Sequence, residues 1–128
     1  MKYSLKEEQE FYKKIYDNLC VLHSSKIDGT YNNNINGVYK LGWMQRTEKA
    51  IGWLENGLFH RENKPAIISL IGNRQEWYEN GLLHRIDGPA FITPELGKHF
   101  YIKGFHYGDE KKYWNNELVK FTAINKLF

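Results

Sequence analysis

The sequence predicts an α+β domain in which an N-terminal helix and a C-terminal helical cap flank an antiparallel β-meander of repeated hairpins. Three observations predict this class: apolar residues recur at helical spacing in the first and last segments, turn dipeptides are frequent between them, and one phrase occurs twice. With 128 residues and 41% hydrophobic content, the chain has the size and composition of one globular domain. We therefore predict a single domain over residues 1–128.

The N-terminal helix is predicted over residues 5–23. Ser4 followed by Glu7 has the form of a capping box, which places a helix start here. The apolar residues that then recur close to helical spacing are Leu5, Phe11, Tyr12, Ile15, Tyr16, Leu19 and Leu22.

A β-repeat region is predicted over residues 28–107, because Asn and Gly become frequent after the helix and Asn36-Gly37 is typical of a tight turn. Asp109 can cap a last helical segment. Aromatic and aliphatic residues return there every three or four positions, which predicts a C-terminal helical cap over 109–126.

One phrase of fourteen residues occurs twice, as WLENGLFHRENKPA at 53–66 and as WYENGLLHRIDGPA at 77–90, and the two copies agree at nine positions. Trp53, Trp77 and Tyr101 follow one another at intervals of 24 residues, and this spacing indicates a third, degenerate unit. A period of this length is typical of repeat architectures, in which each unit buries its apolar face by stacking on its neighbours.

Most positions of the phrase have a structural interpretation. The Asn-Gly pairs supply the two positive φ angles of a type I′ hairpin turn, and each proline stands at a strand start, where a missing N–H is tolerated. The positions interpreted as structural are Trp53, Asn56, Gly57, His60 and Pro65 in the first unit, Trp77, Asn80, Gly81, His84, Asp87 and Pro89 in the second, and Tyr101 and Gly104 in the third.

The pattern W-x-x-N-G-x-x-H-R-x-x-x-P-A resembles the MORN-variant repeats of proteins from bacteriophages, giant DNA viruses and some bacteria. The resemblance covers about residues 50–107. It implies successive β-hairpins in an elongated curved sheet and a scaffold that associates with proteins or membranes rather than an enzyme. The third unit departs from the pattern, because YIKGFHYGD has one residue fewer before Gly104 and lacks the Arg and Pro-Ala positions.

The histidines of the repeat are the candidates for a catalytic or metal site. Equivalent positions two strands apart lie about 9–10 Å from each other, too far for His60 and His84 to share a zinc ion that needs nitrogens at about 2.0–2.1 Å. We interpret each as structural, packed beside a Trp and bonded to a turn carbonyl. A single-histidine acid or base, with His84 or His106 acting in a hydrolase or nuclease, is the alternative.

Four residues are candidates for contact with a partner: Arg61, Tyr78, Arg85 and Tyr107. Arginine and tyrosine are favoured at interface cores. The alternative for the two arginines is a local ion pair with Glu55, Glu79 or Asp87, or bonds to the loop backbone. The alternative for the two tyrosines is a structural position in the core or on a face of the sheet.

The charge distribution, the cysteine count and the absence of known motifs each argue against a class of function. The net charge of +3 is spread along the chain without a basic cluster, which does not favour a nucleic-acid partner. One cysteine permits no intramolecular disulfide and no multi-cysteine zinc site, and a cytoplasmic setting fits. Phosphate-loop, nucleophile-elbow and zinc-protease motifs are absent from the sequence.

We therefore expect no cofactor and no metal. The expected function is a non-catalytic protein-binding module that blocks or redirects a host factor, with nucleic-acid or membrane-surface binding as a further alternative. The chain has no apolar run long enough for a transmembrane segment.

Overall fold

The computed structural model describes residues 3–22, 31–41 and 49–108. Within them the chain forms one α-helix and a mostly antiparallel sheet with projecting hairpins, which is the predicted α+β class. The predicted C-terminal helical cap at 109–126 lies outside the described residues. The helix has 11 residues, and the described part of the chain contains no helix that could span a membrane.

The helix α1 (Leu5–Ile15) begins where the sequence predicts, because the Ser4 side chain accepts a hydrogen bond from the Glu7 N–H. It is followed by a short 3₁₀ turn at Tyr16–Asn18. The prediction that the helix continues to residue 23 is wrong, since the chain is extended from Leu19 and forms a strand at Val21–Leu22.

Among the residues that the structure describes, twelve short strands follow the helix. In chain order they are β1 (Val21–Leu22), β2 (Gly37–Leu41), β3 (Ala50–Glu55), β4 (Leu58–Phe59), β5 (Ile67–Ser69), β6 (Gln75–Glu76), β7 (Tyr78–Glu79), β8 (Leu82–Leu83), β9 (Phe91–Thr93), β10 (Gly97–His99), β11 (Tyr101–Ile102) and β12 (Phe105–His106).

The main sheet has the strand order β1-β2-β3-β5-β6-β9-β10, with β4 paired to β3. All its pairs are antiparallel except β1 with β2, which run parallel. Asn36-Gly37 was predicted as a hairpin turn, but Gly37 instead begins β2 and pairs with Leu54. The meander is therefore antiparallel apart from this first edge pair.

Three hairpins, each closed by a two-residue turn, project from the main sheet. Hairpin 1 is formed by the end of β3 with β4, hairpin 2 by β7 with β8, and hairpin 3 by β11 with β12. Successive hairpins are joined by backbone bonds, because Gly81 N–H donates to Phe59 O and Gly104 N–H donates to Leu83 O. The two copies of the repeated phrase thus form adjacent, hydrogen-bonded hairpins.

The core has a separate cluster on each face of the main sheet. On one face, Ile51, Ile68 and Leu70 are buried under the side chains of the helix segment, among them Tyr12 and Leu19. The other face carries a cluster of buried residues, namely Leu22, Tyr31, Leu41, Ala50, Leu54 and Ile67. Gln9 fixes the helix on its face by donating to the carbonyls of Ser69 and Gly72, each at 2.9 Å.

Candidate functional site

The hairpin turns have the backbone geometry that Asn-Gly pairs favour. Asn56-Gly57 has φ angles of 53° and 77°, and Asn80-Gly81 has 51° and 82°. Lys103-Gly104 has the same pair of positive angles, 48° and 84°, so the third hairpin keeps the turn without the asparagine. These three turns set the positions of all the side chains on the hairpins.

Each turn is also held by a side chain from an earlier part of the chain, which for the second and third hairpins is the preceding repeat unit. His60 Nδ1 accepts a hydrogen bond from Asn80 N–H, and His84 Nδ1 accepts one from Lys103 N–H, both at 2.9 Å. Asn36 Oδ1 does the same for Asn56 N–H at 2.9 Å. The histidines were predicted to bond to a turn carbonyl; this is wrong, because they accept a bond from a turn amide.

This bonding fixes the tautomer of each repeat histidine. Because Nδ1 accepts, the proton of a neutral ring is on Nε2, which faces Glu55 from His60 and Glu79 from His84, at 3.6 Å in both cases. A neutral ring held in this way has no unused lone pair with which to take a proton from a substrate.

Both arginines of the repeat stack on the tryptophan of their own unit. The guanidinium carbon of Arg61 lies 3.8 Å from the centre of the Trp53 ring, and that of Arg85 lies 3.7 Å from the centre of the Trp77 ring. Each also donates to the carbonyl of the proline four residues later, Arg61 at 3.3 Å and Arg85 at 3.1 Å. The repeated Arg and Pro positions therefore belong to one motif around the Trp ring.

The ion pairs of the two arginines differ. Arg61 donates from both terminal nitrogens to the two oxygens of Glu8 on α1, at 2.8 and 2.5 Å. Arg85 donates from Nε to Asp87 at 2.9 Å. The local pair with Asp87 was among the predicted alternatives, whereas Glu55 and Glu79 face histidines instead.

The four predicted partner contacts do not form one surface. Trp77, Arg85 and Arg61 line a common cleft of about 300 Å³. Tyr78 follows Trp77 in an extended segment and so lies on the opposite face, where its hydroxyl donates to Glu76. Burial raises the pKa of the Tyr78 hydroxyl, and the neighbouring Glu76 carboxylate raises it further. Tyr107 is half-buried against the Phe100 cluster at hairpin 3.

Hairpin 3 aligns with the others through Phe100 rather than Tyr101. Phe100 O accepts a hydrogen bond from Tyr107 N–H, in the way that Trp77 O accepts one from His84 N–H. The aromatic residue then stands four positions before the turn glycine in all three units. The predicted placement of Tyr101 against Trp77, with a residue lost inside the hairpin, is therefore wrong by one position.

His106 pairs with a histidine that the repeat pattern does not include. His99 Nε2 lies 2.7 Å from the Leu96 carbonyl and so carries a proton, while His99 Nδ1 lies 3.0 Å from His106 Nε2. The ring of His106 also stacks on Tyr101. Across the described ranges, no cluster of three or more potential metal ligands occurs.

An exposed row of apolar side chains runs along the three hairpins. Leu58, Leu82 and Phe105 are 38%, 51% and 71% exposed, and each is the first residue after a turn glycine. Leu58 leans over the next hairpin, where a Cβ on Gly81 would lie 3.2 Å from its Cδ2, and Leu82 leans over Gly104 in the same way at 3.3 Å. We call these three residues the apolar row.

The apolar row lies on the same hairpin face as the Arg–Trp stacks. Leu58 pairs across the hairpin with Glu55, and Leu82 pairs with Glu79. Alternation along an extended strand places each glutamate on the face of the tryptophan two residues earlier. Sequence reasoning missed this row, although Leu58 and Leu82 occupy one repeat position.

Comparison of the chain with protein-family models, with curated proteins and with solved structures gives no match.

Proposed function

We propose that this protein is a non-catalytic protein-binding module that meets its partner through the apolar row. The observation that carries the proposal is the recurrence of an exposed apolar side chain at one position of all three hairpins. Scattered surface leucines are ordinary in proteins, but a contiguous apolar strip with a polar surround is typical of an interaction site.

The polar surroundings of the apolar row support the same role. Glu55 and Glu79 stand beside its leucines, and Lys103 lies with Leu82 around a shallow hollow. Protein interfaces commonly combine an apolar centre with a charged rim in this way. The rigid turns hold the row in place, so little ordering is required when a partner binds.

The bonding of the histidines supports binding over a hydrolase or nuclease. His84 uses Nδ1 to hold the hairpin 3 turn, and His106 shares its hydrogen bond with His99 at an exposed edge. A general base needs a free lone pair beside a pocket that can hold a substrate. Nucleic-acid or membrane-surface binding has less support, because glutamates flank the apolar row.

The proposal extends to the family and setting that the repeated phrase resembles. The phrase at 53–66 and 77–90 supports hairpins of the MORN-variant type and a phage or viral protein that blocks or redirects a host factor. The aromatic and aliphatic residues that return every three or four positions after Asp109 support a helical cap at 109–126, and the single cysteine supports a cytoplasmic setting.

The test is a tagged pull-down from host lysate with a moderate-salt wash, followed by mass spectrometry, using wild-type protein and matched variants. Leu82→Ser and Phe105→Ser alter the apolar row. Leu96→Ser and Ile71→Ser are controls, because these side chains are 64% and 69% exposed and lie outside the row.

We expect the wild-type protein to retain a partner at near one-to-one stoichiometry. The two control variants should retain the same partner, and the two variants of the apolar row should lose it. Retention in all four variants would refute the apolar row as the contact. A lysate that yields no retained protein would contradict the binding function, and nucleic acid or lipid released by added salt would favour the electrostatic alternative.

A further inference from the structure

Hairpin 1 shows how an Arg–Trp stack of this repeat binds a carboxylate. Arg61 stacks over the Trp53 ring, and its two terminal nitrogens donate hydrogen bonds to both oxygens of Glu8. The side chains of Arg61 and Glu8 are only 15% and 12% exposed, so the pair is held away from solvent. A planar guanidinium presents paired donors that match a carboxylate in this two-point geometry.

Hairpin 2 repeats the stack, but within residues 3–22, 31–41 and 49–108 no carboxylate binds Arg85 through both oxygens. Arg85 lies on Trp77, its Nε donates to Asp87 and its Nη1 donates to Pro89 O. Among the residues that the structure describes, none accepts a hydrogen bond from Arg85 Nη2. Asp87 contacts Arg85 from one side only and is 74% exposed. In the described part of the chain, Arg85 therefore lacks the two-point acceptor that Arg61 has.

Open space borders Arg85. One cleft of about 300 Å³ is lined by Arg61, Trp77 and Arg85, and a second of about 690 Å³ by Trp77, Arg85 and Lys98 among others. We call the two together the Arg85 cleft. Its cationic groups come from three separate chain segments, while Asp87 and Glu79 are its carboxylates.

We propose that the Arg85 cleft binds a carboxylate, supplied by an Asp or Glu side chain of a partner protein, in the manner in which Arg61 binds Glu8. This inference rests on the proposed function and adds the chemistry of the partner. The precedent for this ligand lies in the molecule itself, since the equivalent arginine of the first repeat already binds the carboxylate of Glu8.

A protein side chain fits this position better than a small diffusible acid. Glu79 and His84 line both the Arg85 cleft and the hollow beside Leu82, so the cleft is continuous with the apolar row. A partner that covers the row therefore brings its own side chains to Arg85. The expected partner surface has an acidic residue next to apolar ones.

The first experiment measures carboxylate binding without any unidentified partner. The full chain is labelled with ¹⁵N and titrated with N-acetylglutamate amide, with N-acetylglutamine amide as the neutral control, and the side-chain signals of Arg85 and Trp77 are followed by NMR. We expect saturable shifts of both signals with the acid and none with the amide. Succinate as a third probe distinguishes a small diacid from a side-chain carboxylate.

Three variants give the site its specificity test. Arg85→Lys keeps the charge but loses the paired donors, and we expect at least tenfold weaker binding of the glutamate probe. Arg85→Gln should abolish the shifts. Asp87→Asn removes the competing carboxylate at an exposed position and should strengthen binding several-fold, which keeps the test valid if an Arg85 variant fails to fold.

The outcomes separate this inference from the proposed function. Equal shifts with acid and amide, or unchanged binding in Asp87→Asn and Arg85→Lys, would overturn the carboxylate site even if the apolar row captures a partner. Much tighter binding of succinate than of the glutamate probe would overturn the protein side chain as its source. The supporting result is a partner whose binding requires Leu82 and whose affinity falls at least tenfold in Arg85→Lys.

Discussion

Hairpins 1 and 2 share a turn, an Arg–Trp stack and a histidine that holds the next turn, yet their surroundings differ. At hairpin 1, α1 supplies Glu8 to Arg61 and Tyr12 to the edge of Trp53. At hairpin 2, Tyr3 contacts Trp77, and Asp87 is the one carboxylate among the described residues that pairs with Arg85. The same local motif thus serves internal packing in one copy and borders open space in the other.

The backbone around the two turn glycines differs most. A Cβ on Gly57 would lie 2.5 Å from the Asn32 carbonyl oxygen, whereas a Cβ on Gly81 would meet only the flexible Leu58 side chain at 3.2 Å. Gly57→Ala should destabilise the fold by about 3–5 kcal/mol, since it adds a backbone clash to the positive φ, and Gly81→Ala by about 1–2 kcal/mol. Chemical denaturation measures both.

Gly72→Ala is the control for backbone strain alone, because Gly72 has a φ of 85° and open space where a Cβ would stand. It should resemble Gly81→Ala. If the Gly57→Ala protein is as stable as the Gly72→Ala protein, the backbone at Asn32 moves to relieve the clash and is not rigid.

The second contrast concerns the arginines. Arg61→Ala leaves the largely buried Glu8 without its partner and should cost about 2–4 kcal/mol. Arg85→Ala loses a stack and an exposed ion pair, at a cost of about 1 kcal/mol. Equal costs in denaturant would contradict the claim that α1 makes hairpin 1 the structural copy. The double variant with Glu8→Gln should cost less than the sum of the single variants.

The third contrast concerns the histidines. His84 holds the partly buried Lys103 N–H, whereas His60 holds the exposed Asn80 N–H, which water can satisfy. His84→Ala should cost about 2 kcal/mol and His60→Ala about 1 kcal/mol, with faster amide exchange at the turn that each one holds. His84→Asn should restore part of the loss, as Asn36 already performs this task. Unchanged exchange at Lys103 would contradict the role of His84.

A pH dependence through Tyr78 also distinguishes hairpin 2 from hairpin 1. The folded state raises the pKa of Tyr78 above its ordinary value near 10, chiefly through burial, while hairpin 1 has Leu54 at this position. Above pH 10 the unfolded chain loses this proton first, so the contribution of Tyr78 to stability should fall by up to about 1.4 kcal/mol per pH unit. Denaturation at pH 9 and pH 11 should show a weaker fall in Tyr78→Phe, and equal falls would refute the assignment.

The α+β class, the start of α1 and the hairpins at the two repeated Asn-Gly turns were predictable, because capping and Asn-Gly turns are local signals. The end of α1 was not, since Leu19 and Leu22 keep helical spacing for another reason: they cover opposite faces of the sheet from an extended segment. The position of Phe100 could have been found by counting four residues back from Gly104, as in the other two units.

The site was only partly predictable. The repeat pointed to both arginines, but nothing in the local sequence links Arg61 to Glu8, which lies 53 residues earlier and is brought near by the docking of α1. The pair of His99 with His106 likewise depends on strand geometry. The apolar row could have been predicted from the sequence, because a leucine follows the turn glycine in both copies of the phrase, at Leu58 and Leu82.

The side-chain bonds that hold the turns have a direction along the chain. Asn36, His60 and His84 each accept from a residue 19 or 20 positions later. During synthesis, the acceptor therefore leaves the ribosome before its donor, and each turn has a finished neighbour on which to settle. Loops this short close at little entropic cost. The repeat can thus assemble in the order of translation, from the amino end onward.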